Sequence, residues 1–135
     1  MQVQPYLFFE GRCQEAIDFY RQALGAEVLM QMAFKDSPIP TNRQPPEAGD
    51  KVMHAALRIG ETQVLMSDGN CNGKPGFQGF SLSITPPDDA EAARVFAALG
   101  NGGTVNMPLG KTFFASSFGM VNDRFGVSWM VMVEG

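Results

Sequence analysis

One order of elements runs through this chain twice: a strand, a helix, then three more strands. Each helix ends on the same tripeptide, Ala23-Leu24-Gly25 and Ala98-Leu99-Gly100. A single βαβββ unit covers one face of its sheet with its helix and leaves the other face bare. Two such units are therefore expected to pair around a shared concavity. Local similarity between the halves is otherwise weak, and aligning them needs a one-residue slip. The repeat is one of pattern.

The elements follow from apolar spacing. Gln2 to Glu10 is short and rich in aromatic and aliphatic residues, as in a strand buried on both faces. From Arg12 to Leu24, Ala16, Ile17, Phe19, Tyr20, Ala23 and Leu24 recur at helical spacing, with Glu15, Asp18, Arg21 and Gln22 between them. Gly25 suits a helix end because it reaches the left-handed conformation without a Cβ penalty. Ala26 to Phe34 reads as a strand. Lys35 to Asp50 carries Pro38, Pro40, Pro45 and Pro46, which discourage helix and central strand alike, and is expected to be a mobile loop, either a lid or a plain connection. Lys51 to Ile59 and Thr62 to Ser67 flank Gly60-Glu61, a tight hairpin turn. Asp68 to Gln78 is glycine-rich loop, and Gly79 to Thr85 alternates as a half-buried strand. Asp88 followed by Glu91 caps a second helix with the stripe Ala92, Val95, Phe96 and Leu99. Thr104 to Met107, Thr112 to Val121 and Gly126 to Val133 complete the set. The expectation is one α+β domain, with module 1 at about 1–67, module 2 at about 79–135 and a connection at 68–78.

Size and charge exclude several classes. A chain of 135 residues with 44% hydrophobic content and eleven Phe can build a core without disulfides. The net charge of −4 and the scattered ten basic residues argue against nucleic acid. No apolar run approaches the roughly 20 residues needed to span a bilayer, and the N-terminus lacks the marks of a signal peptide. Cys13 and Cys71 have no metal-like spacing and are expected to be reduced thiols of a cytoplasmic protein. No nucleophile elbow, Walker loop or dinucleotide fingerprint is present.

Three segments carry a resemblance: PYLFFEGRCQEAIDFYRQALGAEVL (Pro5 to Leu29), HAALRIGETQVLMSD (His54 to Asp68) and FGMVNDRFGVSWMVMV (Phe118 to Val133). Together they resemble the PhnB-like branch of the glyoxalase/bleomycin resistance protein/dioxygenase superfamily, over essentially the whole chain. The resemblance implies two βαβββ modules forming a cupped mixed sheet with helices on its outer face, usually as a homodimer. In the wider superfamily the cup holds a divalent metal on four His, Glu or Gln side chains, one from each of four strands. The metal acts there as a Lewis acid. Carried onto this chain, those positions fall on Pro5, Met66, Gly79 and Met130. Pro and Gly offer no side-chain donor, and Met thioethers are soft ligands unsuited to Mg, Mn or Zn with oxygen partners. No metal and no cofactor are expected. Relatives sometimes carry a methyltransferase label, yet no glycine-rich strand-to-helix turn for S-adenosylmethionine is present.

Several residues remain as site candidates. His54, the sole histidine, is either a proton carrier in the cup or a hydrogen-bonded core histidine. Asp68 could orient a substrate, although Asp at a strand end is ordinary turn chemistry. Lys111 suits a solvated loop. Leu7, Met66, Phe113, Phe114, Trp129 and Met130 are expected to line an apolar cup, and nine Met are suited to irregular cavities. The function expected is metal-free binding of a small apolar or amphipathic molecule. The alternatives are a superfamily enzyme, using unrecognised ligands or His54 with Asp68, and a structural or regulatory dimer with a vestigial cup.

Overall fold

Hydrogen bonding sorts eight strands into two separate four-stranded sheets in a computed structural model that describes residues 1–135. The first unit, Met1–Pro75, holds β1 (Tyr6–Phe8), α1 (Cys13–Leu24), β2 (Glu27–Ala33), β3 (Val52–Ile59) and β4 (Thr62–Ser67). The second, Gly76–Gly135, holds β5 (Leu82–Ile84), α2 (Asp89–Gly100), β6 (Thr104–Gly110), β7 (Ala115–Asn122) and β8 (Ser128–Glu134). The strand orders are β1-β4-β3-β2 and β5-β8-β7-β6, with β1 parallel to β4, β5 parallel to β8, and all other pairs antiparallel. Each unit is therefore βαβββ, and the chain is α+β with two mixed sheets.

In unit 1 the register sets Leu7, Met66 and Ala55 side by side, and Val64 beside Leu57. All five are buried, and α1 supplies the opposing layer from Cys13, Ala16, Ile17 and Tyr20. A side-chain bond from Gln31 of β2 to Gln14 of α1 fixes the helix to this face. The predicted stop at Gly25 holds: its φ of 65° is left-handed, and its amide bonds back to Arg21. In unit 2, α2 begins where Asp88 accepts the Glu91 amide at 2.8 Å, and buries Ala92, Val95 and Leu99. A Cβ on Gly119 would lie 2.6 Å from Phe96 of α2 and 3.0 Å from the Leu109 backbone. Glycine at this place in β7 is what lets the helix approach.

The structure corrects four boundaries. β1 is three residues with only Leu7 buried between exposed Tyr6 and Phe8, so it is covered on one face and not both. β5 begins at Leu82, which leaves Gly79 outside the strand with a φ of 79°. β7 begins at Ala115, which puts Phe113 and Phe114 in the preceding loop. β6 runs on through Pro108 to Gly110, tolerable because β6 is an edge strand that needs no donor on its outer side. The proline-rich segment is not loose. It carries two 3-10 turns, buries Phe34 and Ala48, and is tied internally by the Gln44 amide donating to the Phe34 and Ile39 carbonyls at 2.9 and 2.8 Å.

Candidate functional site

Each sheet has one face under its helix and one free of it. Side chains alternate along a strand, so the register decides which residues share the free face. In unit 1 one row across the sheet reads Tyr6, Leu65, Ala56, Met30. In unit 2 the corresponding row reads Ser83, Met130, Met120, Met107. The next residues along the same faces are His54 and Ser67 in unit 1, and Phe118 and Met132 in unit 2.

The free face of unit 1 is aromatic with a polar centre. The Tyr6 and Phe8 rings stack at 4.9 Å and 25°. The Tyr6 phenol and His54 Nδ1 lie 2.8 Å apart, a hydrogen bond whose direction depends on the imidazole tautomer. Burial raises the Tyr6 pKa above its ordinary value, and a hydrogen bond from the Ser67 side offsets part of that rise. Arg58, farther along, is ion-paired with Glu27 at the exposed end of the face, worth less than about 1 kcal/mol. The free face of unit 2 is apolar: Met120, Met130 and Met132 are half-buried, Met107 is exposed, and Phe114 packs edge-on against Phe118 at 5.2 Å. Its polar pairs lie toward one end: Ser81 with Ser128, 2.7 Å apart, and Asn106 donating to Asn122 at 3.0 Å.

This geometry redistributes the residues expected to line the cup. Leu7, Met66 and Trp129 are 2%, 0% and 2% exposed and lie on the helix-covered faces. Met130 is on the free face. Phe114 reaches it from the loop, while Phe113 is fully exposed beyond the strand. Of the metal-equivalent positions, Met130 lies on the free face, Met66 lies on the helix-covered face, and Pro5 and Gly79 lie outside the strands. Pro5 precedes β1 and spends its carbonyl on the Leu65 amide at 2.9 Å. A one-residue slip turns a strand's side chains over to the opposite face. Free-face residues paired between β1 and β4 and between β5 and β8 include Tyr6 with Leu65 and Ser83 with Met130. No group of three or more His, Cys, Asp or Glu side chains is arranged to hold a metal ion.

Asp68 has a different role from the one expected at a loop mouth. It is 0% exposed, and both carboxylate oxygens are engaged. Oδ1 accepts the Gly11 and Cys13 amides at 2.7 and 2.8 Å, and Oδ2 accepts the Val52 amide at 2.8 Å. It ties the start of α1 and the start of β3 to the end of β4, with no oxygen left for a substrate. The glycine-rich segment after it folds around another acid: the Asn70 and Asn72 amides, each at 3.4 Å, face the Glu10 carboxylate. Both helix N-termini are thus filled by the chain's own carboxylates, Asp68 and Asp88, which leaves neither as a cradle for a nucleotide phosphate.

Residues 1–132 match the family described as 3-demethylubiquinone-9 3-methyltransferase. The chain belongs to this family. It is 36% identical to protein YjdN of Escherichia coli over 98% of this chain and 95% of that one. A crystal structure of a Pseudomonas aeruginosa protein matches with a TM-score of 0.86 and 46% identity, covering 99% of this chain and 98% of that one. The PhnB protein of Bacillus cereus, described as a 3-demethylubiquinone-9 3-methyltransferase homologue in name, matches at 0.81 with 27% identity over 98% and 99%. A glyoxalase-related enzyme from Fulvimarina pelagi, at 13% identity and a TM-score of 0.63, shares the fold alone, with 99% of this chain and 88% of that one covered. The chain is thus PhnB-like, with a glyoxalase/bleomycin-resistance fold.

Sequence reasoning missed Tyr6 and Ser67. Tyr6, Leu7 and Phe8 are all large, so their composition gives no alternation from which to tell the free face. Cys13 and Cys71 are both free thiols, and burial raises the pKa of each. Lys111 is exposed, as a solvated loop lysine should be. No helix is long and apolar enough to cross a membrane.

Proposed function

We propose that this chain binds a small apolar or amphipathic molecule against the free faces of its sheets, without a divalent metal, as a homodimer. The observation that carries the reading is the donor set. Tyr6, Leu65, Ser83 and Met130 offer a phenol, a hydroxyl and a thioether, where Mg or Mn takes carboxylates and Zn or Ni takes imidazoles with carboxylates. Large apolar groups stay accessible on those faces, with Phe8 49%, Met107 45% and Phe114 46% exposed. Such surfaces suit a ligand or a partner subunit.

Thermal-shift screening against a metabolite panel, with and without Mn, Ni or Zn, tests the proposal. A ligand that prefers the native state raises its melting temperature. Stabilisation by metabolites alone is the expected outcome, and saturable stabilisation by one equivalent of a divalent ion overturns the reading. A sedimentation mass near 14.7 kDa overturns the dimer.

A further inference from the structure

We infer that Tyr6 and His54, backed by the buried Ser67, form the polar anchor of the binding face, and that the ligand they select is an aromatic molecule bearing a hydroxyl group. The inference rests on the small-molecule reading above and adds the ligand class to it. Tyr6 and His54 approach to 2.8 Å across two strands that do not neighbour each other, with β4 between them. Ser67, at the end of that intervening strand, is 4% exposed and supports the pair from within: its hydroxyl accepts the Gly69 amide at 2.9 Å and faces the Val52 carbonyl at 3.5 Å.

The chemistry follows from the two neutral tautomers. When the phenol donates to Nδ1, the Nε2–H is left as a donor and the phenol oxygen keeps a free lone pair. When Nδ1–H donates to the phenol oxygen, Nε2 becomes an acceptor and the phenol hydrogen is released for another partner. In either state the pair offers one donor and one acceptor, and it exchanges between them without gaining or losing a proton. A hydroxyl is the simplest group that donates and accepts at once. An ether can only accept, and a hydrocarbon can do neither. Beside the pair, the Phe8 ring stacked on Tyr6 is 49% exposed and presents an aromatic surface to a planar ligand. Leu65, Ala56 and Met30 continue the face as hydrocarbon and thioether. A polar group held in such surroundings discriminates strongly, because a ligand lacking the hydroxyl leaves it unpaired.

The test is a titration of the intact protein with phenol, anisole and toluene, followed by the His54 ring resonances and the Met methyl resonances. Phenol is expected to bind about tenfold more tightly than toluene and to shift the His54 ring, with anisole close to toluene. Tyr6→Phe, which keeps the ring stack, and His54→Gln should each remove the preference for phenol while leaving toluene affinity unchanged. Equal affinities for phenol and toluene, or a preference that survives both substitutions, overturn the anchor while leaving the small-molecule reading intact. Binding of none of the three overturns the anchor as well, and the metabolite screen then judges the parent reading on its own.

Discussion

The two units share a strand order and differ in what they place at corresponding points. Where unit 1 has Tyr6, His54 and Ser67 on its free face, unit 2 has Ser83, Phe118 and Met132. Beneath the helix, Ala55 of unit 1 corresponds to Gly119 of unit 2, and Val64 corresponds to Trp129. One scaffold therefore carries a hydrogen-bonding face in one copy and a thioether-rich face in the other. The buried acids differ in the same way. Asp68 joins segments far apart in sequence. Asp123 organises its own turn, accepting the Phe125 and Val127 amides at 2.9 and 3.1 Å, and adds the Trp129 indole at 2.9 Å.

The strongest test of that contrast is removal of each acid. Asp68→Ala leaves three amides, two of them buried, without an acceptor and is expected to destabilise the chain by about 4 kcal/mol in urea unfolding. Asp123→Ala should cost less, about 3 kcal/mol, because two of its three bonds lie within one short turn. The reverse order would break the distinction between a long-range tie and a local one.

Packing under the helices comes next. Gly119→Ala is expected to cost about 1–3 kcal/mol, since the new methyl meets Phe96 and the Leu109 backbone. The matching change in unit 1, Ala55→Gly, should cost about 1 kcal/mol through chain entropy and one lost methyl. Equal values would mean that the two helices approach their sheets alike.

Alkaline pH separates the units through Cys13. Its thiol is buried in unit 1, and unit 2 has no thiol; burial foremost, with the Asp68 carboxylate second, raises its pKa above the ordinary 9.0. The unfolded thiol ionises near that ordinary value while the folded one keeps its proton. Above it the native state binds more protons, so stability is full below that pH and falls as pH rises, by up to about 1.4 kcal/mol per unit for this group. Thermal melts from neutral to alkaline pH should show the decline, and Cys13→Ala should make it shallower. An unchanged slope in that variant would sink the assignment.

The smallest effect is expected on the thioether face. Met120→Leu conserves volume on a half-buried position and should change stability by less than about 1 kcal/mol. A loss of several kcal/mol would place Met120 in a core and not on a binding face.

Most of the scaffold was legible beforehand because it is set by local rules. The stripes of both helices, the left-handed stop at Gly25, the Asp88 cap and the hairpin around Gly60 all depend on a few neighbouring residues, and each formed as read. The site was less legible. Leu7, Met66 and Trp129 were placed in the cup because period-2 patterning identifies two faces without naming the one a helix will cover. Met66, a metal-equivalent position, lies on the covered face for the same reason, one residue from Leu65 on the free face. Asp68 read as turn chemistry because its amide partners, Gly11, Cys13 and Val52, come from distant segments.

The sequence alone determined the repeated βαβββ order, since helix and strand periodicities, caps and breakers act over a few residues. It also determined that no His-rich metal cluster can form, because one His cannot become several. Only the tertiary structure decided which strand faces stay free, and that Tyr6, His54 and Ser67 meet. Those facts depend on register between strands whose residues lie some fifty positions apart, and no local preference encodes such a register.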